Sequence, residues 1–210
     1  MQYEITNDAT EAFTDLYIGF FADVDLDMGR CYSLIANATG YDTARALSYT
    51  YPRAAAGDQD LGCPILVFGL AFLESPVASE APHTVTSHTI LRKNVGPEYD
   101  FSEATLRNPQ DVLYRLQGLS SQGDPMIDPT TDTPTSYAFT GDPVTQTGWL
   151  DVPIDVRSLT AAGPFSLAQG QKKRFTVALI VAQGSVLSEA LTHLRQQVDL
   201  VRSQAGLWRF

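Results

Sequence analysis

The chain has 210 residues, 44% hydrophobic and 18% charged, enough apolar material for a sizeable core and too much for wholesale disorder. Its 24 acidic and 14 basic side chains leave a formal charge of −10, which repels a phosphate backbone and argues against nucleic acid as a partner. The longest apolar run, Cys63 to Leu73, contains Pro64 and is too short to span a bilayer.

In chain order, Gln2 to Thr6 reads as a strand that ends at the turn residues Asn7 and Asp8. Asp15 to Phe21 follows, with Leu16, Ile18 and Phe20 on one face and Tyr17 and Phe21 on the other. Apolar residues on both faces predict a central strand covered from both sides. After the aspartate-rich loop Asp23 to Gly29, Arg45 to Tyr51 is a short strand, and Ile65 to Leu73 is a buried one. The β-branched stretch Thr84 to Arg92 is also a strand. Asn108 as N-cap and Pro109 at the first helical position open a short helix to Leu119, whose expected buried face is Val112, Leu113 and Leu116. Ser120 to Pro134 is rich in turn formers and reads as loop; Tyr137 to Thr140 reads as a strand leading into the turn Gly141-Asp142-Pro143. Arg174 to Val181 alternates as a strand. A helix from the N-cap Ser185 to about Ser203 then presents Leu187, Leu191, Leu194, Val198 and Val201 on one face, with Gly206 as its stop.

No internal repeat or domain boundary is visible. The pattern predicts a mainly β fold, an antiparallel β-sandwich with a short middle helix and a C-terminal amphipathic helix, residues 1–210 forming one module. Lysine occurs only at Lys93, Lys172 and Lys173, so surface polarity falls to Thr, Ser, Gln and Asp, a composition common in secreted β proteins. Cys31 and Cys63 are the only cysteines. They are either two buried thiols or a disulfide closing roughly thirty residues, worth about 3 kcal/mol in the chain-entropy model. A targeting segment and flanking domains are expected outside this sequence.

The acidic balance suits cations, and calcium takes hard oxygen ligands. Asp23, Asp25 and Asp27 alternate in one loop and can turn carboxylates toward a single Ca2+, although the spacing is not that of an EF-hand. The same alternation suits a strand end with its polar face in water. Asp42, Asp58 and Asp60 are further oxygen donors without a spacing that shows convergence. Trp149, beside the turn at Gly148, is either an exposed binding edge for carbohydrate or a partner, or a core residue. Asp155 and Arg157 have the spacing of a same-side ion pair. His83 and His88 tend to opposite sides of a strand and make a poor metal pair, and His193 falls on the polar side of the last helix. No HExxH, GxSxG, phosphate-cradling glycine loop or dinucleotide fingerprint occurs, so no residue is singled out for catalysis.

Several segments together resemble a β-rich module of large bacterial secreted and surface proteins that often end in a type IX secretion sorting tail. They are TDLYIGFFADVDLD (14 to 27), FGLAFLESP (68 to 76), YRLQGLSSQGDP (114 to 125), FTGDPVTQTGWLD (139 to 151) and AAGPFSLAQGQKKRFTVALIVAQG (161 to 184). The resemblance implies export, a β-rich fold and a non-catalytic region of a larger protein, and supplies no catalytic residues. An acidic loop after the strand at Leu16 to Gly19 is usual in such modules. Here Cys31 stands between Arg30 and Tyr32 rather than in the glycine-cysteine-aspartate run they often carry.

The expectation is therefore a non-catalytic, extracellular structural or adhesive module, calcium-stabilised, whose partners are copies of itself, a cell surface or neighbouring domains. The strand at Gln2 to Thr6 and the tail Leu207-Trp208-Arg209-Phe210 are its candidate contact segments, the tail either folding back or docking in a neighbour. Two alternatives stand beside it. An accessory domain of a secreted hydrolase would need aromatics such as Tyr49, Tyr51 and Trp149 exposed on one face, and a stand-alone hydrolase would need a pocket with a perturbed carboxylate or a Ser–His pair.

Overall fold

The computed structural model describes residues 1–26, 37–52, 64–77, 84–152 and 154–204. Among these, the strands are β1 (Gln2–Thr6), β2 (Phe13–Asp23), β3 (Asn37–Asp42), β4 (Leu47–Pro52), β5 (Ile65–Glu74), β6 (Ser87–Arg92), β7 (Met126–Asp128), β8 (Thr133–Thr135), β9 (Val156–Leu167) and β10 (Lys172–Gly184). The helices are α1 (Pro109–Leu116) and α2 (Leu187–Gln204). One five-stranded sheet has the order β1-β10-β5-β4-β3 and a three-stranded sheet the order β2-β9-β6, with every strand pair antiparallel. The expected antiparallel sandwich with two helices is the architecture observed.

The two faces of β5 show why the sandwich is layered as it is. Leu70 and Phe72 point into the space between the sheets, where they meet Tyr41, Val177, Ala162 and the Phe20 ring. Ile65, Val67 and Ala71 point the other way, under Leu191, Leu194 and Val198 of α2. A strand buried on both faces reads as a continuous apolar run, as Ile65 to Leu73 does. At Gly69 a Cβ would stand 2.8 Å from a Leu194 methyl and 3.0 Å from Leu47, so glycine is what lets the helix settle onto the sheet. On the opposite outside, α1 lies over β2 and β9, its Leu116 against Gly19.

Several elements depart from the sequence reading. β2 is an edge strand, pairing with β9 alone. Its two-sided apolar pattern reflects cover by α1 on one face and by Phe72 and Phe175 on the other. The middle of the small sheet is β9, twelve residues that alternation did not single out because both of its faces are buried through Gly163. β3 was likewise unforeseen. Tyr137 to Thr140 forms no regular strand: it bonds to β6 through Ala138 and turns at Phe139, where φ is +57°. The 120–134 stretch, read as loop, holds the small hairpin β7–β8.

In α1 the cap is as expected, the Asn108 side chain accepting from the amides of Gln110 and Asp111. Its most buried side chains, however, are Asp111 and Arg115, while Val112 is exposed. Gly118, at φ +73°, ends the helix with Ser136 and Ser87 2.8 Å from where a Cβ would be. At the start of α2 the Ser185 hydroxyl does not cap as an acceptor; it donates to Glu189, which also accepts from the Ser185 amide. No helix among the described residues is long and apolar enough to cross a membrane.

Candidate functional site

The acidic loop begins where β2 ends. Asp23 lies directly across from Arg157 of β9, and Arg157 Nε donates to its carboxylate at 3.0 Å. The second arm of the same guanidinium, Nη1, donates to Glu103 at 2.9 Å. Asp23 is thus held in a three-member charge cluster at the strand end, and Asp155, expected to pair with Arg157, takes no part in it. Asp25 is exposed, while Asn37 donates to the Val24 carbonyl at 2.9 Å and pins the chain between the two aspartates. Asp27, Asp58, Asp60, Cys31, Cys63, His83 and the tail Leu207 to Phe210 lie outside the described residues. Asp42 caps the turn Thr43–Arg45 and pairs with Arg45 and Arg195. Among the described residues no three His, Cys, Asp or Glu side chains are grouped as a metal site would need.

Polar groups inside the fold are mostly matched to one another. Asp151 accepts from Arg92 at 2.6 Å and from the Thr39 amide at 3.0 Å, tying the 141–152 segment to β6 and β3. Burial pushes its carboxyl up to about 6, against the pull of that amide and that guanidinium. Arg115, wholly buried, gathers the Asp100 carbonyl and carboxylate, the Leu119 carbonyl and the Thr105 hydroxyl, and so organises the 100–121 segment. His88 Nδ1 lies 3.1 Å from the Thr160 hydroxyl, the spacing of a base and a nucleophile. Both residues are enclosed, however, and the imidazole lies flat against Tyr41, which in turn stacks on Tyr137. Burial pushes His88 down to about 3, so the ring is neutral, and its Nε2 has no partner among the described residues.

The three aromatics considered for a sugar-binding face are turned inward. Tyr49 and Tyr51 belong to the core under α2, and Trp149 packs against Phe139 and Phe101. Near Tyr49 a polar pocket of about 300 Å³ is bordered by Asp42, Arg45, Asp142 and Arg195. Its charges neutralise one another: Arg195 reaches both Asp42 and Asp142, and Arg45 bridges Asp42 to Asp199.

What sets this molecule apart is the unequal treatment of its sheet edges. β3 is closed by Phe139, Asp151 and Ile154, which bond to Tyr41, Thr39 and Asn37. β6 is closed by Ser136, Ala138 and Phe101. The 95–155 segment therefore covers one side of both sheets. On the opposite side lie β2, β1 and the end of β10 that β1 does not reach. β2 is broken by irregular register between Phe13 and Ile18, with Asp15 at φ +55°. β1 covers β10 only as far as Val177, whose amide and carbonyl bond to Met1. Beyond that point Leu179 is 49% and Val181 59% exposed. A groove of about 820 Å³ runs beside this step, with Gln2, Leu73, Thr176, Ile180, Leu179 and Val201 among its lining.

Of this side, only β1 as a contact strand was foreseen. The step in β10 was hidden, because Arg174 to Val181 alternates like any paired strand and nothing in it says where its neighbour stops. Comparison with protein-family models, with curated proteins and with solved structures returns no match.

Proposed function

We propose that the chain is a non-catalytic, extracellular structural or adhesive module that associates with copies of itself through the uncovered side of its sandwich. The observation that carries this reading is the asymmetry of the edges: β3 and β6 are sealed by the 95–155 segment, while β1 and β2 each pair on one side alone among the described residues. Open edges are templates for pairing with another chain. Support for an extracellular location comes from the lysine-poor, acidic composition and from the resemblance to secreted bacterial modules. Against a hydrolytic role stands the enclosure of the His88 and Thr160 pair behind Tyr41. The accessory-domain alternative loses its named aromatics to the core.

Calcium at Asp23, Asp25 and Asp27 belongs to the same reading. A cation there would compete with Arg157 for Asp23 and find Asp25 exposed. The test is sedimentation velocity over a wide concentration range, in calcium and in excess chelator. Reversible growth of the sedimentation coefficient with concentration is the expected outcome, larger in calcium. A single monomeric species at every concentration would remove the self-association, and indifference to chelator would remove the metal.

A further inference from the structure

The polar pocket of about 300 Å³ lies where the end of β3, the 140–142 turn and α2 meet. One wall is fixed from within the sheet. A Cβ at Gly40 would stand 2.4 Å from the Tyr49 ring, so glycine lets the phenol lie across β3, and its hydroxyl donates to the Gly141 carbonyl at 3.2 Å. Asp42 is occupied by its own turn, accepting from the Arg45 amide and from the Arg45 guanidinium at 3.1 Å each. Arg45 also holds Asp199 at 3.0 to 3.1 Å. Arg195 is held less closely. Its Nε stands 3.5 Å from Asp42 and its Nη2 3.3 Å from Asp142, both beyond the roughly 2.7–2.9 Å of a strong charge-assisted bond. Asp142 Oδ1 accepts from the Val144 amide at 2.9 Å. Among the described residues, Arg195 Nη1, Asp142 Oδ2 and the Thr140 hydroxyl have no hydrogen-bond partner.

We infer that this pocket binds a single neutral sugar ring, whose adjacent hydroxyls bond to Arg195, Asp142 and the Thr140 hydroxyl. The chemistry of the lining selects that class. Each carboxylate already faces a guanidinium, so neither an anion nor a cation gains a partner without breaking an existing pair. An apolar ligand would strip water from charged groups and return no hydrogen bonds. A hydroxyl can accept from Arg195 and donate to Asp142 at once, joining a loose pair and leaving its charges matched. The volume is at the lower end of small-ligand sites and suits one ring, not a chain of them. Tyr49, only 2% exposed, offers no stacking face, so the ring is held by hydrogen bonds alone and weakly. The inference stands apart from self-association. The pocket lies on the β3 side that the 95–155 segment closes, away from β1 and β2, and either can fail without the other.

The test is titration of the protein with glucose, galactose, mannose and fucose, followed by amide proton and nitrogen shifts, with acetate and ethylammonium as ionic probes. The expected result is a saturable shift with at least one sugar, confined to the amides around Asp42, Gly141 and Arg195, with a dissociation constant on the order of 1 mM. Two variants assign it. Asp142→Asn keeps the oxygen that accepts from the Val144 amide and so keeps the turn, but loses the carboxylate. Arg195→Lys keeps the charge and loses the fork. Each should weaken binding about tenfold or more, with far-ultraviolet circular dichroism unchanged. The inference is overturned if no sugar gives a saturable shift, if the shifts fall elsewhere on the surface, or if both variants bind as the unaltered protein does. Saturable shifts at these amides from acetate or ethylammonium, with none from the sugars, overturn it as well and make the pocket an ion site.

Discussion

At the scale of single residues, the buried charges are the informative ones. The Asp151 carboxylate is fully enclosed, and its burial outweighs the stabilisation it draws from the Thr39 amide and Arg92. Its folded pKa of about 6 stands above the usual 3.8, so the folded state favours the protonated acid. The sign follows from linkage: its contribution to stability is full below the unfolded value and is lost as pH rises through about 6. Asp151→Asn removes that dependence. Chemical denaturation from pH 3.5 to 7 should show the unaltered protein losing stability relative to the variant across roughly pH 4 to 6. Parallel curves would show that Asp151 ionises freely in the fold. The Arg115 guanidinium is buried among oxygen acceptors and lies 5.9 Å from the Phe101 ring.

Among the elements, α2 shows how one face of a helix completes a sheet. Leu191, Leu194 and Val198 recur at helical spacing and fill the outer face of β5 and β10. Leu194 is fully buried and seated over Gly69. Leu194→Ala leaves a cavity that the rigid sheet cannot close, and should cost about 2–5 kcal/mol in denaturant unfolding. A loss under about 1 kcal/mol would mean that the helix is docked chiefly by its polar contacts. Those contacts are Arg195 to Asp42 and Asp142, Asp199 to Arg45, His193 to the Gln183 carbonyl, and Arg202 to the Phe72 carbonyl. The partly exposed pairs among them are worth little individually. In α1 the packing logic is reversed: Asp111 and Arg115 are inside because the 100–121 segment wraps the helix and supplies their partners, and Val112 is left outside.

For the whole molecule, the balance is between contact at the open sheet edges, β1 and β2, and a formal charge of −10 on each copy. Like charge opposes association at long range, and salt screens it with a Debye length of about 10 Å at 0.1 M. Hydrogen bonds and apolar contact at a sheet edge act at short range and are screened little. Self-association should therefore strengthen as sodium chloride is raised from about 20 to 200 mM. Sedimentation equilibrium at the two salt concentrations checks this. Weakening with salt would indicate that charge attraction between unlike patches, rather than edge pairing, draws the copies together.

The sequence by itself determined the fold class, because its periodicities are local: β1 and the core of β5 and β10 follow from strand patterns, and α2 from leucines at three- and four-residue spacing. The cap of α1 was legible for the same reason, since Asn108 and Pro109 act within one turn. Partnership was not legible. That Asp23 answers Arg157 across 134 positions, that Trp149 lies against Phe139 and Phe101, and that β9 lies between β2 and β6 are facts of folding back. The edges show the limit most clearly. Whether a strand's outward amides are bonded depends on what lies beside it, and for β3 that is Phe139, Asp151 and Ile154, which alternation along the strand does not encode.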